Sequence, residues 1–336
     1  MESARTPSDR RRMDDPPVHG LVIPVLGIPV RFEADDPAPI AIAADAFSAW
    51  RGVEHVPRLV SDTDSARIRI WLDAPTGEEP FLVPDDDPPI YQWPDRDRLI
   101  VRAGPSCGVA DAARRDAILF VTRALLEDPH AFRDRFLEPM VLASLAGTDR
   151  VPIRAAAVEY REIALLLAGP PGSGKSTLAC AAALAGFRIL SDDRVHVQLE
   201  PRLRVWGMPG YIDLAPDSAR FFPDIAVAAP RSGHGERERI VLNVRELGAL
   251  PALPVAQRAG VCILAPSTGE PAIAALDSEE LEALLLRTQT RDAPSERFAE
   301  PVRVLSRHGG WKLAPGDDPA AAIELLRETL DDLVSG

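Results

Sequence analysis

The sequence predicts an α/β protein: a core built on a phosphate-binding loop, preceded by a smaller mixed α/β domain. Three observations predict it. A short continuous apolar run, 162–168, leads directly into Gly169-Pro170-Pro171-Gly172-Ser173-Gly174-Lys175-Ser176, and a run of that kind is the mark of a strand buried on both faces. A strongly helix-forming segment, 177–185, follows the glycines and stops at Gly186. Short β-branched stretches then recur through the second half, spaced by turn residues.

The elements follow in chain order. Residues 1–17 are polar and charged with no apolar core, so they read as a disordered tail and not as a secretory signal. Residues 18–150 read as the mixed N-terminal domain. Within it, 21–32 reads as one or two strands and 41–50 as a helix. Residues 66–73 alternate polar and apolar, the period of a half-buried strand. A turn at 85–89 and a strand near 99–101 come next. Apolar spacing over 111–145 predicts helix, interrupted near Pro129 and Pro139. Residues 151–336 read as the nucleotide-binding domain. Strands are expected at 162–168, 187–190, 195–199, 203–206, 240–244 and 260–264, and helices at 278–288 and 319–334. There is no internal repeat.

Composition narrows the function. The chain has 336 residues, 46% hydrophobic and 26% charged, the balance of a soluble globular protein. No apolar run approaches the roughly 20 residues that span a bilayer. Fifty-one acidic against 38 basic residues leave a net charge of -13, which repels nucleic acid and anionic membranes. Cys107, Cys180 and Cys262 lie far apart and show neither metal nor disulfide spacing. They read as small buried side chains in a reducing cytoplasm.

The chemistry concentrates at the glycine loop. Glycines let the main chain approach phosphates, and successive N–H groups hold the anion. The helix that opens at the loop adds its positive end. Gly169 to Thr177 are therefore the expected nucleotide-binding residues. Lys175 reaches the outer phosphates and Ser176 binds magnesium. The fixed positions match by chance in roughly one chain in a hundred of this length, and the strand-before, helix-after context lowers that further. ATP with magnesium is the expected ligand.

Asp192 and Asp193 form the second constellation. They lie 17 residues beyond Lys175, at the C-terminal end of a strand expected to lie next to the loop strand. Ligands of open α/β sheets bind at that edge. Adjacent carboxylates there can hold a metal and orient or deprotonate a nucleophile. Arg237 and Arg239, in a polar glycine-bearing segment, are candidates to neutralise a transferring phosphoryl group. Arg154, just before the loop strand, reads equally as substrate-facing or as a surface ion pair.

Residues 169–179 and the stretch Gly186-Phe187-Arg188-Ile189-Leu190-Ser191-Asp192-Asp193 resemble the C-terminal domain of HPr kinase/phosphorylase. They look closer still to the HPr-kinase-like proteins of peptide-modification gene clusters, the lasso-peptide precursor kinases among them. The resemblance covers about residues 150–250. It implies a core like that of ATP-dependent phosphoenolpyruvate carboxykinase and a kinase acting on a serine of a peptide or protein. It implies Asp192 as general base, Asp193 assisting the metal or the hydroxyl, and a homo-oligomer. Two positions depart from it. Arg154 stands where the family commonly has histidine, and Arg204 where HPr kinases carry an acidic residue. Two other readings stay open: a P-loop small-molecule kinase, and an ATP-binding regulatory protein without transfer activity.

Overall fold

The computed structural model describes residues 17–60, 65–73, 90–92, 97–103, 105–232, 238–247, 254–289 and 296–335. The expected tail up to residue 16 and the expected turn at 85–89 lie outside these residues. The chain divides into two compact units. One comprises Met1–Ile23, Ile28–Ser48 and Ser61–Gly147; the other comprises Pro24–Gly27, Ala49–Val60 and Thr148–Gly336. Among the described residues no helix is long and apolar enough to cross a membrane.

The first unit is a sheet of seven strands with helices. The strands are β1 (His19–Val25), β2 (Ile28–Ala34), β3 (Ala66–Asp73), β4 (Ile90–Gln92), β5 (Arg98–Ala103), β6 (Ser106–Asp111) and β7 (Asp116–Thr122). They lie in the order β1-β2-β3-β7-β6-β5-β4. Strand β3 pairs parallel with both β2 and β7. Helix α1 (Pro37–Ala46) starts on Asp36, whose carboxylate accepts the Ala38 N–H at 2.9 Å, with proline at a position that lacks a partner anyway. Three short helices follow: α2 (Arg123–Leu126), α3 (Pro129–Phe132) and α4 (Glu138–Ser144). Here the structure corrects the helix expected from residue 111. Residues 106–122 form the β6–β7 hairpin, and Ala117, Leu119 and Val121 are buried at every second position. Pairing with β3 imposes a period of two on a segment whose apolar residues are dense enough to fit either period.

The second unit contains β8 (Val151–Arg154), β9 (Ala156–Tyr160), β10 (Ile163–Ala168), α5 (Lys175–Leu184), β11 (Arg188–Ser191), β12 (Arg194–Gln198), β13 (Arg204–Trp206) and β14 (Tyr211–Leu214). It continues with α6 (Pro223–Ala228), β15 (Arg231–Ser232), β16 (Arg239–Asn243), β17 (Val255–Ala256), β18 (Ala259–Leu264) and β19 (Ala272–Leu276), then α7 (Ser278–Gln289), α8 (Glu296–Ser306), β20 (Gly310–Ala314) and α9 (Pro319–Ser335). The main sheet runs β11-β9-β10-β18-β20-β19. Every residue of β10 is buried. Leu165 and Leu167 pack with Leu178 of α5 and Leu326 of α9. Ala164 and Leu166 pack on the other side with Leu281 and Leu285 of α7 and Val302 of α8. Each such leucine, fully removed from water, contributes on the order of 2 kcal/mol. Helices thus cover both faces of a largely apolar sheet, the arrangement of an α/β protein.

Two smaller sheets complete this unit. Strands β17-β13-β12-β8 form one and β14-β16-β15 the other. The topology corrects one expectation: β11 is not next to the loop strand. Strands β9 and β10 form a hairpin through Arg161 and Glu162, both at positive φ (48° and 64°), the twist a two-residue connection demands. Strand β9 therefore occupies the position beside β10, and β11 pairs antiparallel with its outer edge. Since β9 is antiparallel to both, β10 and β11 still end at the same edge of the sheet. Cys180 and Cys262 are buried as expected, but Cys107 is exposed, because the alternation of β6 turns it outward.

Candidate functional site

Strand β10 delivers the chain into the glycine loop at a buried Gly169, and α5 begins at Lys175. Gly172 and Gly174 adopt φ of +79° and +91°, a region L side chains rarely enter. Ser173 N–H closes the turn on the Pro170 carbonyl at 3.1 Å. Lys175 is only 8% exposed. Its ammonium folds back over the loop and donates to the Gly169 and Pro170 carbonyls, each at 3.0 Å. Burial lowers its pKa, the Arg154 charge adds to that, and Asp193 and Asp192 oppose it. All three groups therefore lie within electrostatic reach of the lysine.

Asp192 follows β11 and is fixed from a third sheet. Its Oδ2 accepts the Asp213 N–H, from β14, at 3.0 Å. Its Oδ1 is a buried atom without a hydrogen-bond partner, although the residue as a whole is only half-buried. Burial pushes the carboxyl up to about 7, and the charges of Asp213 and Asp193 push the same way. The Asp213 N–H and the Ser176 hydroxyl hold it down. Asp193 is exposed and ion-paired with Arg154, Oδ1 to Nε, at 3.7 Å. Gln289 of α7 holds the Arg154 backbone: Arg154 N–H donates to its side-chain oxygen at 2.6 Å. Thr177 shares a hydroxyl–hydroxyl contact of 3.0 Å with Ser218.

The structure thus brings together Lys175, Ser176, Asp192, Asp193 and Arg154. Arg239 is exposed at the start of β16 and donates to the Glu238 carbonyl at 2.8 Å. Arg237 lies outside the described residues. Arg204 is 6% exposed and caps an interior cluster. It donates to the Arg58 carbonyl at 3.1 Å and lies 5.7 Å from the Trp206 ring. Two residues near the site escaped sequence reasoning, Asp213 and Ser218. Asp213 does carry a signal, as the lone acidic position between the buried Ile212 and Leu214 of β14.

Among the described residues no group of three or more His, Cys, Asp or Glu converges on a common point. Magnesium takes one or two carboxylates and keeps waters and phosphate oxygens as its other ligands. The unpartnered Oδ1 of Asp192, whose carboxyl also feels the Ser176 hydroxyl, is the observation that fits such an ion.

Comparison with known proteins adds little. No family model matches the chain and no curated protein does. Among solved structures, an HPr(Ser) kinase/phosphatase from Coxiella burnetii matches 55% of this chain and 99% of its own, at 13% identity and a TM-score of 0.30. That marks a distant structural relation and carries no argument about function.

Proposed function

We propose that this chain is an ATP-dependent kinase that transfers the γ-phosphoryl group to a serine hydroxyl of a peptide or protein. The observation that carries the proposal is the meeting of Lys175 with Asp192 and Asp193 at the end of a buried strand–glycine loop–helix unit. The loop amides from Gly169 to Thr177 and the α5 N-terminus bind the phosphates. Lys175 leaves the loop carbonyls to neutralise the outer oxygens. Asp192, held by the Asp213 N–H at the edge where the loop ends, is the carboxylate we assign to general-base work. It takes the serine hydroxyl proton as the serine oxygen bonds to the γ-phosphorus. The bond from that phosphorus to the β–γ bridging oxygen breaks, and ADP leaves with the electron pair. Arg154, held at Asp193, is the arginine placed to balance charge at this edge. Ser176, Asp192 and Asp193 are the residues that would hold magnesium, which supplies charge neutralisation on the phosphates. The resemblance at residues 169–179 and 186–193 supports a serine as acceptor.

The test is a peptide array and a metabolite panel incubated with the full chain, magnesium and γ-labelled ATP. Label recovered as phosphoserine on peptide is the expected result. Label on a metabolite alone would replace the peptide-kinase reading with a small-molecule one. Nucleotide binding without transfer anywhere would make the chain a regulatory ATP-binding protein.

A further inference from the structure

The charge beside the proposed site points to the chemistry of the acceptor. Strand β8 pairs antiparallel with β12, and the register sets Arg154 directly opposite Arg194. Residues so paired share a face of the sheet, and like charges there are destabilising. The opposite face of this ladder, with Ile153, Val195, Val197 and Val205, is core. The arginine face continues through His196, Trp206, Gln198 and Arg204. Its far end is covered: Trp50 stacks on Trp206 at 5.9 Å, and Arg150 lies over the same ring at 5.5 Å. Its near end, at Arg154 and Arg194, is open, and Arg154 there reaches Asp193 and the loop lysine.

The balance of charge at that open end is positive. Asp193 stands against Arg154. Arg194 is exposed and, among the described residues, its guanidinium has no ion pair and no hydrogen bond. His196, next on this face, is kept neutral first by burial and then by the charges of Arg194, Arg297 and Arg150. In a chain with 51 acidic and 38 basic residues, this like-charged cross-strand pair is a local cost to stability.

We infer that the acceptor is an acidic peptide segment, a serine flanked by aspartate or glutamate, whose carboxylates lie on Arg154 and Arg194 while its hydroxyl meets Asp192. The inference rests on the kinase reading above and adds the substrate class to it. A guanidinium–carboxylate contact is directional and can be bidentate, so the face selects as well as attracts.

The test uses the full chain and three degenerate serine-peptide libraries, with flanking positions enriched in Asp/Glu, in neutral residues or in Lys/Arg. Capture is measured with a non-hydrolysable ATP analogue and magnesium present, and fluorescent-nucleotide affinity is measured in parallel. The acidic library should bind about tenfold or more tightly than the neutral one, and the preference should weaken with added salt. Arg194→Glu should abolish or invert the order while nucleotide affinity stays within about twofold, and Arg194→Lys, which keeps the charge but not the bidentate fork, should keep the order at a smaller ratio. Matching melting curves for the variants would show that the fold is kept. Equal capture of the three libraries, or an unchanged order in Arg194→Glu, overturns the inference and leaves the nucleotide site standing. Failure of the unaltered chain to bind nucleotide overturns both.

Discussion

Gly172 has open space where a side chain would start, yet its φ is +79°. A β-branched residue fits the space and not the backbone. Gly172→Val therefore strains the loop, by about 1–2 kcal/mol for the left-handed conformation alone. On the proposed reading it also projects methyl groups into the space meant for phosphate oxygens. Nucleotide affinity should fall at least about tenfold while the melting curve shows the chain still folded. Unchanged affinity, by fluorescent-nucleotide titration, would remove the loop from the nucleotide site. At this scale the sequence was most legible. The glycine spacing, Lys175 and the aspartate pair are adjacent in sequence or one helix and one strand apart, so local pattern sufficed. The partnership of Asp213 with Asp192 was not legible. It joins residues 21 apart through two different sheets, and no periodicity reports that.

Among the elements, β12 shows what the interior imposes on a titrating side chain. His196 is 5% exposed and its Nδ1 is buried without a hydrogen-bond partner. Burial, then the nearby arginines, lower its pKa to about 3. A depressed base gives its stability in full above the unfolded value of about 6.5 and loses it below, because only the unfolded chain takes up the proton. Denaturant unfolding at pH 5 should show about 2 kcal/mol less stability from this residue than at pH 8. His196→Gln should flatten that part of the profile, and an equally steep profile in the variant would refute the assignment. Strand 66–73 was legible from its strict alternation, and 162–168 from a short apolar run that ends at the glycine loop. The β6–β7 hairpin was not, since its apolar residues suit both periods and only the pairing with β3 decides. The place of β9 beside β10 was hidden for a similar reason: a two-residue turn at Arg161 and Glu162 carries no glycine or asparagine to announce it.

At the scale of the whole chain, the α/β class follows from a buried strand joined through glycines to a helix, and that much was readable. The layering was not, because it depends on which faces of β10 meet α5 and α9 and which meet α7 and α8. The central claim is that this framework serves phosphoryl transfer through Asp192, and single-turnover transfer from labelled ATP to the best array peptide tests it most directly. The chain and its Asp192→Asn variant should bind nucleotide within about threefold of each other, while the variant loses at least about a hundredfold in transfer, the share a general base supplies. Equal transfer by Asp192→Asn would contradict the account.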